Sequence, residues 1–406
     1  MRILIAAPFS PYPLIFGGAI RLYHLIKMCA EFSNVTLVAY RSWPDGEDPR
    51  EHLKTICSRL VIVDRASNQE DRWKKFLQVR ATFSDRTFQY YSHYSREFQR
   101  ILDDELAREN YDVVICEMTQ MGYFNYGNTS ALRVLDLQNI EHELLLRRAR
   151  VEQQLIKRIA VELEARKFQI EEMTICRSFD MLFTPSNREM VQMRQLLGHD
   201  EIYALPNSID PDFFALRQHI PQEPAIAFIG ATHVDANRDG VRYFMDEIYP
   251  IVIKQIPDLY VYIVGGKPSQ DIRNYAKLPR VEVTGYVKDV RDYMARVRAL
   301  IVPLRSGGGT RLKILEGLSY GVPTISTGIG AEGIDVVDGK HILIGDTPES
   351  FARQVVFAVR NDELQQTMSI AGRQLVDELY SWRSVGKILK QILERKLSER
   401  KVATIR

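Results

Sequence analysis

The segment Ser306-Gly-Gly-Gly-Thr-Arg-Leu-Lys-Ile-Leu-Glu316 concentrates residue types suited to holding an anion. It follows the apolar run Ala299-Leu-Ile-Val-Pro-Leu304, which reads as a buried strand. From Thr310 the pattern turns helical: Leu312, Ile314, Leu315 and Leu318 share one arc, and Lys313, Glu316 and Tyr320 the opposite stripe. A glycine-rich turn from strand to helix leaves backbone N–H groups bare at the helix start. First turns ordinarily carry Asp or Glu, because a cation there opposes the helix dipole by about 0.3–1 kcal/mol. Here Gly308, Gly309 and Thr310 lead into Arg311 and Lys313. Two cations beside bare N–H groups fit a phosphate among them; the alternative is a glycine turn with two solvated cations. One turn on, Glu316 is placed to accept paired hydrogen bonds from the vicinal hydroxyls of a ribose, or else to pair with Lys313 or Tyr320.

A second glycine-led helix start lies near the N-terminus. The first strand ends in Pro8-Phe-Ser-Pro-Tyr-Pro, and Phe16-Gly-Gly-Ala19 then opens a helix, so that Gly17 and Gly18 let backbone approach a ligand closely. Asp136-Leu-Gln-Asn-Ile-Glu-His142 also runs from a strand end into a helix, with Asn139 as either a site residue or a plain helix cap. That helix carries Arg147, Arg148, Arg150, Lys157 and Arg158 beside Leu144, Leu145, Leu155 and Ile159. Such a pattern suits anionic lipid headgroups, or a packed helix with a wet cationic edge. Dinucleotide, P-loop, zincin and nucleophile-elbow motifs are missing. Asp210-Pro-Asp212, the nearest approach to a metal-binding pair, reads as turn chemistry, so no metal is expected.

The elements that must position these residues alternate along the chain. Short apolar runs at 3–8, 35–39, 60–63, 113–116, 134–137, 181–184 and 202–205 are separated by helical stretches, the longest expected over 140–176. Ser186-Asn-Arg-Glu189 reads as a capping box. A proline-rich break over 206–224 follows. A second strand series then runs through 226–230, 261–265, 281–285, 300–303, 324–326 and 341–344. This predicts an α/β chain of two Rossmann-like halves facing each other across a cleft: residues 1–205, a linker 206–224, residues 225–382, and a basic helix 383–406. At 406 residues, 45% apolar, 26% charged and a formal charge of +2, the chain has the composition of a soluble globular protein, and its bulk charge does not call for nucleic acid. Cys29, Cys57, Cys116 and Cys176 lack metal-type spacing and read as reduced thiols in a cytoplasmic protein. No run is apolar enough to cross a bilayer, so any membrane contact is expected at the surface.

In sequence order, Phe228-Ile-Gly230, Asn237-Arg-Asp-Gly240, Val264-Gly-Gly266, Val283-Thr-Gly-Tyr-Val-Lys-Asp289, Pro303 through Pro323, Gly330-Ala-Glu-Gly333 and Asp346-Thr-Pro348 resemble the nucleotide-sugar domain of family 4 glycosyltransferases, which have the GT-B architecture. Thr184-Pro-Ser186 and Pro206-Asn-Ser-Ile-Asp210 resemble the family's approach to its interdomain linker. Of the family's paired glutamates, Glu316 matches the second, and the first falls on Gly308. The resemblance implies that backbone around Gly309 and Thr310 holds the donor sugar, and that Arg311 or Lys313 meets the diphosphate. The family's usual Arg and Lys after the first strand of this domain fall near Ala231 or Thr232 and on Asp239, which leaves Arg238 as a candidate. Backbone at 286–289, Val287 included, would choose the base. In the first half the family's usual histidine falls on Gln138, with His142 one turn later, as acceptor-side catalytic candidates.

The implied activity is metal-independent, cofactor-free retaining transfer of a sugar from a nucleoside diphosphate to a glycan or lipid-linked acceptor hydroxyl. A nucleotide-sugar 2-epimerase and a catalytically degenerate nucleotide-sugar-binding module are the alternatives.

Overall fold

The computed structural model describes residues 1–14, 16–43, 48–64, 71–127, 129–152, 154–307 and 309–405; Gly308 lies outside the described residues. Among them the chain divides into two compact units. One comprises Met1–Pro206 with Val385–Arg406, the other Asn207–Ser384.

The first unit holds strands β1 (Arg2–Ala7), β2 (Asn34–Tyr40), β3 (Arg59–Val63), β4 (Val113–Glu117), β5 (Leu132–Asp136), β6 (Met181–Thr184) and β7 (Ile202–Ala204), in the sheet order β3-β2-β1-β4-β5-β6-β7. The second holds β8 (Ala225–Ile229), β9 (Tyr260–Val264), β10 (Val281–Gly285), β11 (Ala299–Val302), β12 (Thr324–Ser326) and β13 (Leu343–Ile344), in the order β10-β9-β8-β11-β12-β13. Every pairing of these strands is parallel. Helices cover both faces of such sheets, which is why most of the strands are apolar runs rather than alternating ones; the edge strand β10, with Glu282 exposed, departs from this. In each sheet the first strand lies between the second and a later one: β1 between β2 and β4, β8 between β9 and β11. Connections leave that strand and its late neighbour in opposite directions, opening a crevice at their carboxyl ends.

Two expectations change. The stretch 140–176 is not one helix but two, Glu141–Val151 and Leu155–Arg177, because Glu152 and Gln154 take extended backbone (ψ 123° and 111°) and the Gln154 N–H bonds the Glu152 side chain at 2.9 Å. Nor is Asn139 the cap of the first of these. Ile140 holds the cap position without a capping side chain, and Glu172 of the following helix bonds the Glu141 and His142 N–H groups at 3.0 and 3.2 Å.

Within the proline-rich 207–224 stretch, Ile209 and Phe214 enter the core of the second unit, and the Ile209 N–H bonds the Tyr380 carbonyl at 2.9 Å. The last helix, Trp382–Ile405, begins in the second unit and from Val385 packs in the first. Val385, Leu389 and Leu393 are completely buried, and Lys396 reaches Glu201 at 2.7 Å. Leu389→Ala should therefore cost about 2–5 kcal/mol in chemical denaturation. An unchanged unfolding midpoint would show that this helix contributes nothing to the core.

Candidate functional site

The second unit's crevice lies at the ends of β8 and β11, and the glycine loop leaves β11 into the helix Leu312–Tyr320. β11 is buried throughout, which fixes where the loop starts. Gly307 and Gly309 have φ of +109° and +74°, a region closed in practice to residues with a Cβ. Arg311 occupies the helix cap and curls back, Nη1 donating to the Gly309 carbonyl at 2.7 Å. A side chain at Gly307 would meet that guanidinium at 3.0 Å. The loop is thus closed over its own arginine, with Thr310 between the two. The helix has no capping side chain and no acid in its first turn, so its leading N–H groups face no fixed negative charge from either source.

Lys313 points back toward β8. Its Nζ donates to Asn237 Oδ1 at 2.9 Å and lies 4.3 Å from the centre of the Phe228 ring. It occupies the space where a Gly230 side chain would begin, so the glycine at the end of β8 makes room for the ammonium. Asn237 is itself oriented by its Nδ2 bond to the Ala231 carbonyl at 3.0 Å. Burial, and then the charge of Arg311, bring the Lys313 ammonium down to about 7. Burial likewise pushes the Glu316 carboxyl up to about 7, against the pull of Lys313. Glu316 accepts no hydrogen bond from any described residue, and Lys313 pairs with Asn237 rather than with it. A half-buried carboxylate one turn past a bare helix start, with no protein partner, is a group built to receive donors from outside the chain.

The other donor-side candidates lie apart from this pair. Arg238 is committed to Asp271, Nε to Oδ2 at 2.9 Å, and that bond first of all holds Asp271 down to about 2. Asp239 is bridged by Arg305 at 2.7 and 3.1 Å. Val287 is half-buried just past β10, packed against the core after Gly285 (φ +74°).

In the first unit, Gly17 and Gly18 open the helix Gly17–Ala30, which also lacks a capping side chain and a first-turn acid. A Cβ on Gly17 would meet nothing, whereas one on Gly18 would run into Gln138 Oε1. The Gln138 amide donates to the Gly18 carbonyl at 3.3 Å and to Glu117 Oε1. Glu117 is completely buried at the end of β4, in register with Asp136 of β5. Asp136 accepts two bonds from Arg21, at 2.5 and 3.0 Å, and Arg21 also bonds the Leu205 carbonyl at 2.7 Å. Burial, and then the negative charge of Asp136, hold Glu117 well above the usual carboxyl range, and Arg21 offsets this in part. Asp136 opens the segment that the sequence singled out, whereas Glu117 and Arg21 escaped the motif reading; the signal for Glu117 was an acid closing an apolar run. His142 belongs to another group: it is buried, with Nδ1 2.5 Å from Glu172 Oε2, and Thr119 adds a bond to the same carboxylate at 3.3 Å.

The perturbed pair sets a pH dependence. Glu316 binds its proton more tightly folded than unfolded, so its contribution is most favourable below the ordinary value of 4.5 and is lost as pH rises to about 7. Glu316→Gln cannot ionise. It should raise the Tm of the unliganded protein on the alkaline side of about 7, with the gain fading toward 4.5. A gain independent of pH would mean that the carboxyl is not desolvated.

Comparison with known proteins fits this division. Residues 223–361, which hold Gly230, Asn237, Lys313 and Glu316, match the family model of group 1 glycosyl transferases. Over 95% of this chain and 97% of its own length, an uncharacterized 44.6 kDa protein in the cps region of Klebsiella pneumoniae is 20% identical. The crystal structure of TarM superposes with a TM-score of 0.67 at 11% identity, covering 97% of this chain and 99% of TarM. That of Anabaena HepE in complex with UDP and glucose gives 0.62 at 9% identity, covering 96% and 99%. The chain therefore has the two-domain α/β fold of GT-B glycosyltransferase structures, with the group 1 match centred on the unit that carries Lys313 and Glu316.

Proposed function

We propose that this chain is a glycosyltransferase that moves a sugar from a nucleoside diphosphate sugar to an acceptor hydroxyl in glycan or polysaccharide synthesis. The observation that carries the reading is the half-buried Glu316 carboxylate, without a described partner, beside Lys313 and an uncapped helix start. Ribose hydroxyls would supply the two donors that Glu316 lacks, and the diphosphate would lie by the leading N–H groups of the Leu312–Tyr320 helix. A dianion there favours the charged form of Lys313, whose ammonium then faces the charge that grows on the leaving phosphate. Fixed donors aimed at developing charge are commonly the largest catalytic contribution. The group 1 match over 223–361 and the UDP held by HepE support a nucleotide donor, and the cps-region relative supports a polysaccharide acceptor.

The reaction is read as retaining and independent of metal. The bond from the anomeric carbon to phosphate breaks, the acceptor oxygen bonds that carbon on the same face, and the departing phosphate oxygen takes the acceptor proton. No protein base is then required, which is compatible with an uncharged Gln138 on the acceptor side.

Thermal unfolding with UDP, GDP and TDP tests the reading. A nucleotide at a hundred times its Kd adds about 2.7 kcal/mol to the folded state. One of the three should raise the Tm of the wild type, and Glu316→Ala should weaken that nucleotide by about 1.5–3 kcal/mol, or roughly ten- to a hundredfold. If no nucleotide shifts the wild type, or if the variant binds as tightly, Glu316 is not a donor-site residue and the reading fails.

A further inference from the structure

The first unit carries an apolar surface that no part of its core covers. Along the helix Leu155–Arg177, Leu155, Ile159 and Leu163 recur every four residues, and Ile156, Leu163 and Ile170 every seven, the spacing of one helix face. Helices of folded domains turn such a face inward. This one turns outward: Leu155, Ile156 and Ile170 are 68%, 83% and 71% exposed. The inner face is made by other residues, Ala165, Phe168, Glu172 and Cys176, so the helix has two apolar faces and the core uses one. From Leu155 to Ile170 the outer stripe is about 22 Å long at ~1.5 Å per residue.

A second helix extends it. In Asp71–Thr82 the exposed apolar residues include Phe76 and Val79, and Phe83 follows at 88% exposure. Lys167 ties this end of the chain to the first stripe, its Nζ donating to the carbonyls of Ala81 at 2.9 Å and Ser84 at 2.8 Å. Phe83 is thereby held beside Lys167, which lies between Leu163 and Ile170 in sequence. Exposed apolar residues grouped in this way mark an interaction site on a folded domain.

The charges around the stripe say what covers it. Arg166 lies within it, exposed, and Arg148, Arg150 and Lys157 are exposed near it. Three acids of this helix are turned to other work. Glu162 is paired with Arg158 at 3.0 Å, Glu164 accepts the Phe88 N–H at 2.6 Å, and Glu171 accepts Thr87 Oγ1 at 2.6 Å. Apolar residues rimmed by unneutralised cations complement an anionic lipid surface, where side chains enter by about 5–10 Å and cations remain at headgroup level. A second copy of the chain fits worse, since a two-fold interface would set these cations against themselves. No helix among the described residues is long and apolar enough to cross a bilayer, so the contact lies along the surface.

The geometry points to this face, Leu155 to Ile170 together with Phe76, Val79 and Phe83, as a peripheral docking surface for anionic membrane. The inference is independent of the transferase reading. Its test is co-sedimentation of the full chain with phosphatidylcholine vesicles, with and without phosphatidylglycerol. Wild type should sediment with the anionic vesicles, less so at high salt, and Ile156→Asp/Leu163→Asp should reduce binding by roughly tenfold or more. Both residues are exposed, so the double variant should keep the wild-type Tm and any nucleotide-induced shift, which separates lost docking from lost folding or a failed donor site. Wild-type protein that stays in solution, or a variant that sediments equally, overturns the inference. So does a wild-type dimer in sedimentation velocity that the variant makes monomeric.

Discussion

The polar groups at the carboxyl end of β8 depend on one constraint, an ammonium brought to the end of a parallel strand. Lys313 reaches β8 only because residue 230 is glycine, and Gly230 in turn packs so closely on Gly265 that a side chain there would strike the Gly230 carbonyl. Two strand ends thus give up side chains to admit one cation. Asn237 gives the cation a neutral partner. A carboxylate in that place would have stabilised the free protein more, but would also have neutralised the charge. An amide holds the position while leaving the site able to receive an anion, consistent with a lysine titrating at about 7 rather than 10.5.

The spacing of Lys313 and Glu316 has the same logic. Three residues apart on one helix, they are close enough for an ion pair, which on an exposed helix would be worth about 0.2–0.5 kcal/mol. They do not form it, because Lys313 is drawn to Asn237 and Glu316 lies one turn further from the loop. Each remains desolvated and incompletely satisfied. A free protein bears such strain at ligand sites rather than in its core, which here is formed from apolar strands and helix faces.

What the sequence made legible follows from the same physics. Strands of a doubly covered parallel sheet are apolar on both faces, so most are short apolar runs, and the sequence windows meet the observed strands to within a residue or two. The glycine loop was legible because it breaks the charge preference of a helix start. The break at 152–154 was not, since no Gly or Pro marks it and the apolar arc continues into the second helix. The cap of the Glu141–Val151 helix was illegible for a different reason. It comes from Glu172, 31 residues from Glu141, and no local pattern announces a cap donated by another helix. Arg238 illustrates the limit of reading charge by position: its partner Asp271 is also remote in sequence, and only the fold brings them together.

The two glycine-led helix starts, so alike as sequence, differ in charge. In the second unit, cations stand beside N–H groups and the nearby acid is unpaired, which leaves a place for negative charge. In the first, Arg21 is matched by Asp136, burial and the charge of Asp136 raise the Glu117 carboxyl well above its usual range, and the Gln138 amide lies against Gly18. The cation there is already paired, while amide and carboxyl groups offer hydrogen-bond donors and acceptors. Such a start offers a dianion little. It suits a neutral ligand that carries hydroxyl groups. The acid at the end of β4 fits the same pattern: burial and the neighbouring charge of Asp136 disfavour its ionisation, while its Oε1 still holds the Gln138 amide in place.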